Sequence, residues 1–330
     1  MRMPCLRFEN DRGTLYGDGI AVDEIPPLRS FGGLPPVLDA ARILRTLTHH
    51  APLRPGMEKS VGQVIHSAVT NPGGAMRFRL AYFTAIAHGH LASDASLLAC
   101  AIEYFHLASL LFDDLPMMDD AMERRGRICL HLLHGESAVI LGALSLITRA
   151  YALIGRAFAD APLEARLAMH AQVERSLGGM GIINGQARDL AFTPGARGIR
   201  GPVGIALGKT APLVTLALVI PARLASAPDG LIQLLRKLSI YWGLFYQGVD
   251  DLKDLLERTD VSGKTSGRDA ALGRPNVAHQ LGAARARGYL LRLSSLAATC
   301  IAAITASHPQ SRYLQAFQMT LLQRLESLSW

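Results

Sequence analysis

The chain has 330 residues, of which 49% are hydrophobic and only 6% aromatic, and alanine and leucine are abundant. This length and composition favour a helical protein with a sizeable core over a sheet protein. The net charge is +7, but the basic residues are mostly scattered along the chain, which argues against a nucleic-acid partner.

Cysteine usage and the first residues bear on the cellular compartment. The cysteines lie far apart without CxxC spacing, so neither a zinc site nor a disulfide framework is predicted. They are Cys5, Cys100, Cys129 and Cys300. The start, MRMPCLRFENDRG, contains no apolar signal-peptide core. We therefore expect a cytoplasmic protein with no stable membrane anchor.

The domain organisation follows from a change in pattern near residue 39. Residues 1–38 are rich in proline, glycine and charge, which predicts an irregular N-terminal extension. From Ala40 onward, apolar periodicity continues through about ten segments separated by short breaks with Gly, Pro or Asn. The prediction is an all-α protein in which residues 39–330 form a single domain, a bundle of about ten or more helices around a central cavity.

The stretch HLASLLFDDLPMMDDAMERRG, residues 106–126, ends an apolar helical run in four aspartates. Pro116 disfavours helix at Leu115, so the chain is expected to return from a loop and bring Asp119 toward Asp113. Neighbouring carboxylates repel one another unless a polyvalent cation lies between them, and Mg²⁺ takes oxygen ligands together with substrate phosphates. This stretch alone is equally consistent with a solvated acidic helix end. Its charged residues are Asp113, Asp114, Asp119, Asp120, Arg124 and Arg125.

A second apolar segment ends in YQGVDDLKD, which contains Asp250, Asp251 and Asp254. Asp250 and Asp254 are four residues apart and share a helix face, with Gln247 one turn before them. If the two acidic runs face each other across a cavity, they can hold magnesium ions that clamp one diphosphate.

Two lysines are candidates to complete this clamp. Lys209 and Lys264 each stand in a GKT triplet. Neither triplet has the GxxxxGK spacing of a P-loop, so these lysines are not interpreted as nucleotide-binding residues.

Further blocks stand in a characteristic order with these runs: GQARDL at residues 185–190, Lys209-Thr210, and GKTSGRDA from Gly263. From about Pro72 to Asn276 the chain resembles the isoprenyl (polyprenyl) diphosphate synthase family, and most of all the bacterial geranylgeranyl diphosphate synthases. The resemblance implies the isoprenoid synthase fold and a homodimer. It also implies a prenyltransferase that uses several Mg²⁺ ions per active site. Its substrates would be isopentenyl diphosphate and an allylic diphosphate, expected to be farnesyl diphosphate, and its product geranylgeranyl diphosphate for diterpenoid or carotenoid synthesis.

The resemblance also assigns roles to individual residues. The implied metal ligands are Asp113, Asp114, Asp119, Asp250, Asp251 and Asp254, with Asp113, Asp119 and Asp250 binding directly. The implied catalytic residues are Asp113, Asp114, Asp119, Asp250, Asp251, Lys209 and Gln247. The implied substrate-binding residues are Arg79, His106, Arg124, Arg125, Lys209, Thr210, Gln247 and Lys264. Asp189 is expected either to line the same site or to be a buried salt-bridge partner of Arg188 or of another helix.

The chain departs from the family at one position of the isopentenyl diphosphate pocket. Where family members carry a GKRxR-like stretch, residues 75–79 read AMRFR, so Met76 replaces the lysine. The loss of one charge-assisted contact weakens binding by about 1.5–3 kcal/mol. Arg77 is close enough in sequence to compensate in part.

Product length is expected to depend on Ala108 and Ser109, which lie about one turn before Asp113. Their small side chains leave room for a growing chain, so the resemblance implies a C20 product. The alternative is that Phe105 or a bulky residue of a neighbouring helix sets the floor of the cavity. Replacing Ala108 with tyrosine is expected to shorten the product.

Two other functions fit parts of the pattern. A class I terpene synthase or cyclase on the same fold would ionise an allylic diphosphate without adding isopentenyl diphosphate. Met76 favours this alternative, whereas Arg79, His106 and Arg125 argue against it. A non-catalytic partner subunit is the third possibility, and the two intact acidic runs argue against it.

Overall fold

A computed structural model describes residues 38–193, 199–257 and 274–328. Residues 1–37 of the expected extension lie outside this part of the chain, and so does Lys264. The proposed division at residue 39 stays a prediction.

The described residues are predominantly helical, which confirms the all-α prediction. The α-helices are α1 (Ala40–His50), α2 (Lys59–Thr70), α3 (Met76–Ala87), α4 (Ala92–Asp113), α5 (Leu130–His134), α6 (Glu136–Ala157), α7 (Leu163–Leu177), α8 (Ile182–Leu190), α9 (Arg200–Lys209), α10 (Ala211–Leu224), α11 (Asp229–Glu257), α12 (Val277–Leu281), α13 (Ala283–Ser307) and α14 (Tyr313–Glu326). A short 3₁₀ helix, Pro309–Arg312, precedes α14. In the same residues, Glu123–Arg124 (β1) and Arg127–Ile128 (β2) form an antiparallel hairpin.

Helix α4 is the centre of the bundle. It packs against α6, α3 and α10, and its residues are buried on all sides from Leu97 to Phe105. A helix that is apolar all round belongs in a core, so the sequence identifies this helix as central. Its C-terminal end carries Asp113.

Residues 203–220 are among the most uniformly apolar in the sequence, which predicts a core helix, but the structure divides this segment between two helices. Helix α9 ends at Lys209, and α10 begins at Ala211 after a bend of 46°. Pro212 lies in the first turn of α10, where its missing N–H removes no helical hydrogen bond. The break places Lys209 at a helix C-terminus, where a cation is favoured by the helix dipole.

Several helices are long and apolar, which raises the question of whether their apolar surfaces are buried in the protein. By length and composition, α4, α6 and α13 could each span a membrane, as could α9 and α10 together as a bent pair. Protein buries 72% of the most apolar window of α4 but only 44% of that of α6. The core therefore accounts for the apolar character of α4, whereas α6 keeps an apolar face at the surface.

Candidate functional site

The first acidic run forms a tight return after α4. The Asp119 N–H donates to the Asp113 carbonyl at 2.9 Å, and the Ala121 N–H donates to the Asp114 carbonyl at 3.1 Å. The loop predicted from Pro116 is thus confirmed. Asp120 has a positive φ of 49°, a conformation that Asp and Asn adopt more readily than most residues.

Asp113 lies beside a lysine and a second carboxylate. The Lys209 Nζ lies 3.8 Å from Asp113 Oδ2 and 3.1 Å from Asp189 Oδ2. Burial raises the pKa of Asp113 from 3.8 to about 6, against the opposing effect of Lys209. Lys209 therefore forms ion pairs with two carboxylates, and Asp189 is the closer of the two.

Close packing of α8 on α9 brings Asp189 and Lys209 together. Gly185 on α8 lies against Gly208 on α9, and a Cβ atom on Gly185 would come within 2.4 Å of the Gly208 carbonyl carbon. Only glycine permits this approach. The GQARDL block thus has a steric reason for its glycine.

Asp114 and Arg124 form the closest ion pair of the first run. The Arg124 Nη2 and Nε atoms each lie 2.6 Å from Asp114 Oδ1. Arg124 is held in β1, and the hairpin turn that follows consists of Arg125 and Gly126, both with positive φ. This is the dihedral pattern of a type I′ turn. It places Arg124 and Arg125 at the rim of the site.

The second acidic run contributes a chain of hydrogen bonds. Thr210 Oγ1 donates to Gln247 Oε1 at 3.0 Å, and Gln247 Nε2 donates to Asp251 Oδ1 at 2.9 Å. The Val277 N–H donates to Asp251 Oδ2 at 2.7 Å. Both oxygens of the buried Asp251 therefore have protein partners, and this carboxylate joins α11 to α12 and orients Gln247.

The other two aspartates of the second run are half-buried. Asp250 Oδ1 lies 3.3 Å from Arg324 Nη2, and Asp254 Oδ2 lies 3.5 Å from His279 Nε2. The Arg324 guanidinium also lies 4.4 Å from the centre of the Tyr246 ring. Helix α14 thus supplies a cation, Arg324, to the second acidic run.

The two acidic runs meet in one polar pocket. Arg274, the first described residue after position 257, donates from Nη2 to Asp119 Oδ1 at 3.0 Å and to the Met118 carbonyl at 2.7 Å. The pocket is lined by Asp119, Asp189, Pro202, Ile205, Ala206, Lys209, Gln247, Asp251, Arg274 and Pro275. Three carboxylates and two cations of the described residues therefore line a space that borders both runs.

The donor set of this pocket fits Mg²⁺. Within residues 38–193, 199–257 and 274–328, no three Asp, Glu, His or Cys side chains converge as a complete metal-binding group. Mg²⁺ is commonly bound by one or two carboxylates together with waters and substrate phosphates. Asp119 and Asp251 line the pocket, and Asp113 adjoins it through Lys209. Asp250 is not one of the lining residues, and its carboxylate pairs with Arg324.

Basic side chains surround His106, which lies on α4 before the first acidic run. Arg77 Nη1 lies 3.1 Å from His106 Nε2, and the Arg77 guanidinium is 5.5 Å from the Tyr246 ring centre. Burial, together with Arg77 and Arg125, lowers the pKa of His106 well below 6.5. The imidazole is therefore neutral at pH 7 and accepts the hydrogen bond from Arg77.

Arg79 and Met76 occupy different surroundings from Arg77. Arg79 is buried, and its Nη1 donates to the Leu38 carbonyl at 2.6 Å. Met76 is half-buried at the start of α3. In this structure Arg77, and not Arg79, is therefore the partner of His106, next to the position where the lysine is replaced.

Sequence reasoning missed four residues around the site. Arg274 and Arg324 bind aspartates of the two acidic runs, and Tyr246 lies between Arg77 and Arg324. The fully buried Glu103 accepts a hydrogen bond from the Phe78 N–H at 3.0 Å and so fixes the start of α3. A signal existed for Glu103, a charged residue in an otherwise apolar helix, but nothing local in the sequence marked the others.

The chain was compared with known proteins. Residues 58–292 match the family model described as polyprenyl synthetase. A geranylgeranyl diphosphate synthase of Pantoea ananas is 31% identical over 265 residues, covering 79% of this chain and 86% of that protein. The mitochondrial geranylgeranyl pyrophosphate synthase 10 of Arabidopsis thaliana is 31% identical over 77% of this chain and 75% of its own length.

Solved structures show the same fold. A geranyltransferase from Helicobacter pylori, complexed with magnesium and isoprenyl diphosphate, has a TM-score of 0.75 at 23% identity and covers 86% of this chain and 95% of its own. An FPP/GFPP synthase from Zymomonas mobilis has a TM-score of 0.73 at 22% identity, covering 84% and 94%.

Proposed function

Because the chain belongs to the polyprenyl synthetase family, we propose that it is a Mg²⁺-dependent trans-prenyltransferase that condenses isopentenyl diphosphate with an allylic diphosphate to give geranylgeranyl diphosphate. The observation that carries this proposal is the meeting of both acidic runs in one pocket with Lys209 and Arg274. Carboxylates that hold a metal ion and cations that bind phosphate oxygens together stabilise the negative charge of a departing diphosphate. Farnesyl diphosphate is the proposed allylic substrate.

Two groups of residues would bind the two diphosphates. Asp119 of the acidic pocket, together with Asp113 beside it and Asp250 of the second run, would hold Mg²⁺, which supplies positive charge to the departing diphosphate. Lys209 and Arg274 would bind its oxygens. Gln247 and Thr210, fixed by their mutual hydrogen bond, would line the path of the allylic carbon. Arg77, His106 and Arg125 would bind the second diphosphate.

One assay tests the proposal against its rivals. The protein is incubated with Mg²⁺, farnesyl diphosphate and labelled isopentenyl diphosphate, with parallel reactions that contain EDTA or omit isopentenyl diphosphate. We expect a labelled C20 diphosphate only in the complete reaction. A terpene hydrocarbon or alcohol formed without isopentenyl diphosphate would instead identify a cyclase, which the family match does not favour. No turnover would identify a non-catalytic subunit.

We also propose a cytoplasmic homodimer without a membrane anchor. The exposed apolar face of α6, where Leu141, Leu144 and Tyr151 are 53%, 48% and 42% exposed, supports the dimer. Exposed apolar patches mark protein or membrane interaction sites, and a second copy of the chain would bury this one. Sedimentation velocity should give twice the chain mass of 35.5 kDa, and cell fractionation should leave the protein in the soluble fraction. A monomer, or a protein released only by detergent, would contradict this.

Product length provides a prediction at Ser109. Ser109 is half-buried and lies one turn before Asp113 on the same face of α4, whereas Ala108 is only 1% exposed. Ser109→Phe should therefore fill the space below the acidic run and shorten the main product by one isoprene unit, measured by chromatography of the dephosphorylated products. Ala108→Tyr should shorten it too, but overpacking should also cost about 1–3 kcal/mol of stability. An unchanged product from both variants would place the length control on another helix.

The Arg125 side chain provides a second prediction, because it packs against Gly73. A Cβ atom at Gly73 would come within 2.7 Å of the Arg125 Cζ, and Gly73 has a φ of +66°. Gly73→Ala should therefore displace Arg125 and raise the KM for isopentenyl diphosphate about tenfold, since a charge-assisted contact is lost.

Gly89→Ala is the matched control. Gly89 has a φ of +82°, and a Cβ atom there would meet nothing within 4 Å. Both variants should lose about 1–2 kcal/mol of stability from the left-handed backbone, measured by urea unfolding. Only Gly73→Ala should change the KM for isopentenyl diphosphate. An equal change in both variants would mean that the effect does not arise from the displacement of Arg125.

A further inference from the structure

A basic pocket lies on the outside of the bundle, at the opposite end of α4 from the aspartates. It has a volume of about 560 Å³ and is formed by α1, the start of α4 and the end of α6. Its lining residues are Arg45, Thr46, His49, His50, Ser93, Ser96, Leu97 and Arg156. Ser96 and Asp113 are seventeen residues apart on α4, which is about 25 Å at 1.5 Å per residue. This pocket is therefore separate from the acidic one.

The lining carries positive charge without a counter-charge. Among the described residues, no carboxylate lines the pocket. Behind it, Arg149 Nε donates to the His50 carbonyl at 2.7 Å, which holds the guanidinium next to the lining. Burial, Arg54 and Arg156 lower the pKa of Arg149. Several guanidinium groups thus repel one another here.

Neighbouring positive charges also affect His50, one of the two histidines of the lining. Burial, followed by His49, Arg149 and Arg156, lowers the pKa of His50. The charge of the pocket therefore rests mainly on Arg45, Arg149 and Arg156. A grouping of like charges is unfavourable by itself and becomes favourable when an anion lies between them.

The pocket lies next to the apolar face of α6 that the proposed homodimer would bury. Arg149 and Arg156 each follow a residue of the apolar face, Leu144 and Tyr151, by five positions. At 3.6 residues per turn this is about 140° around the axis of α6. Measured from Leu141, the same two arginines lie only about 80° and 60° around the axis. They therefore border the Leu141 edge of the apolar face and point away from Leu144 and Tyr151.

We propose that this pocket binds a phosphate-bearing anion. Guanidinium groups match the oxygens of phosphate by paired hydrogen bonds, and a phosphate monoester carries about −1.5 to −2 charges at pH 7. The hydroxyl-bearing residues Thr46, Ser93 and Ser96 add donors next to the arginines. The anion is either a small soluble phosphate compound or the headgroup of an anionic phospholipid, since both present the same chemical group.

The test measures binding without catalysis. Inorganic diphosphate is titrated into the full chain in EDTA, so that the acidic site has no metal with which to hold it. The variant is Arg45→Gln with Arg156→Gln, because both side chains are exposed and neither belongs to the catalytic pocket. The control is Arg285→Gln with Arg292→Gln, two exposed arginines of α13 with the same loss of charge. Isothermal titration calorimetry gives the Kd.

A second arm tests the lipid source. The same proteins are sedimented with vesicles of phosphatidylglycerol and phosphatidylcholine, and with vesicles of phosphatidylcholine alone. The proposal is supported if the pocket variant, and not the control, weakens diphosphate binding about tenfold or more; the ligand is then a soluble phosphate compound. It is also supported, with a lipid headgroup as ligand, if only vesicle binding is lost in that variant. It is overturned if the pocket variant and the control bind both probes like the unchanged protein, or lose binding equally.

Discussion

Replacing Asp113 with asparagine should lower kcat by about 10³-fold, at the upper end of what the loss of one electrostatic group costs in an active site. Asp113 ends the central helix, its Oδ2 lies 3.8 Å from Lys209 Nζ, and its backbone carbonyl accepts the hydrogen bond from the Asp119 N–H of the return loop. Asparagine keeps the shape but not the negative charge that a bound Mg²⁺ requires. The rate of labelled isopentenyl diphosphate incorporation at saturating substrate measures the effect.

Asp120→Asn is the matched control for this variant. Asp120 belongs to the same run but is exposed, and asparagine tolerates its positive φ. We expect its kcat to stay within about threefold of that of the unchanged protein, because exposed charges contribute little. Equal losses in the two variants would mean that the run acts only through its total charge.

The pH dependence of metal binding should reflect the titration of the Asp113 carboxyl. Burial raises the pKa of Asp113 to about 6, so this carboxyl is mostly ionised at pH 7 and mostly protonated at pH 5. Metal affinity of the free protein should therefore fall as the pH is lowered through about 6. In Asp113→Asn this fall should be smaller, since the titrating group has been removed.

Replacing Arg274 with glutamine should increase metal affinity about tenfold while lowering kcat. The Arg274 guanidinium holds Asp119 Oδ1 at 3.0 Å and has a side chain only 10% exposed. A metal ion that binds this oxygen must displace the guanidinium, and a charge-assisted hydrogen bond contributes about 1.5–3 kcal/mol. Removing the competitor frees the carboxylate, but it also removes a cation that would bind the diphosphate. Mn²⁺ titration followed by electron paramagnetic resonance measures the affinity.

Two further variants separate these effects. Arg274→Lys keeps the charge and should retain most of kcat, although it loses the paired geometry of the guanidinium. Arg292→Gln removes an exposed charge on α13 and should leave both quantities unchanged. If Arg274→Gln leaves the Mn²⁺ affinity unchanged, the metal uses the other oxygen of Asp119, and Arg274 is not a competitor.

The local sequence was sufficient for much of the fold and for the ends of two key helices. The apolar run of α4 predicts a central helix, and Pro116 predicts the loop that returns Asp119 to Asp113, because both depend on neighbours within a few residues. Local pattern was less informative at 203–220, where apolar character continues across the bend at Thr210. It was also less informative for Asp251, whose acidic spacing does not show that both of its oxygens are bonded within the protein.

The sequence alone identifies two acidic helix ends, Lys209 in its GKT triplet, and the order of blocks that is typical of the family. Which charges neutralise one another depends on the tertiary structure. Arg274 binds Asp119 from 155 positions away in the chain, Arg324 reaches Asp250 from the last helix, and Arg77 rather than Arg79 joins His106. Helix periodicity is a property of adjacent residues, whereas ion pairs between distant segments depend on how whole helices pack.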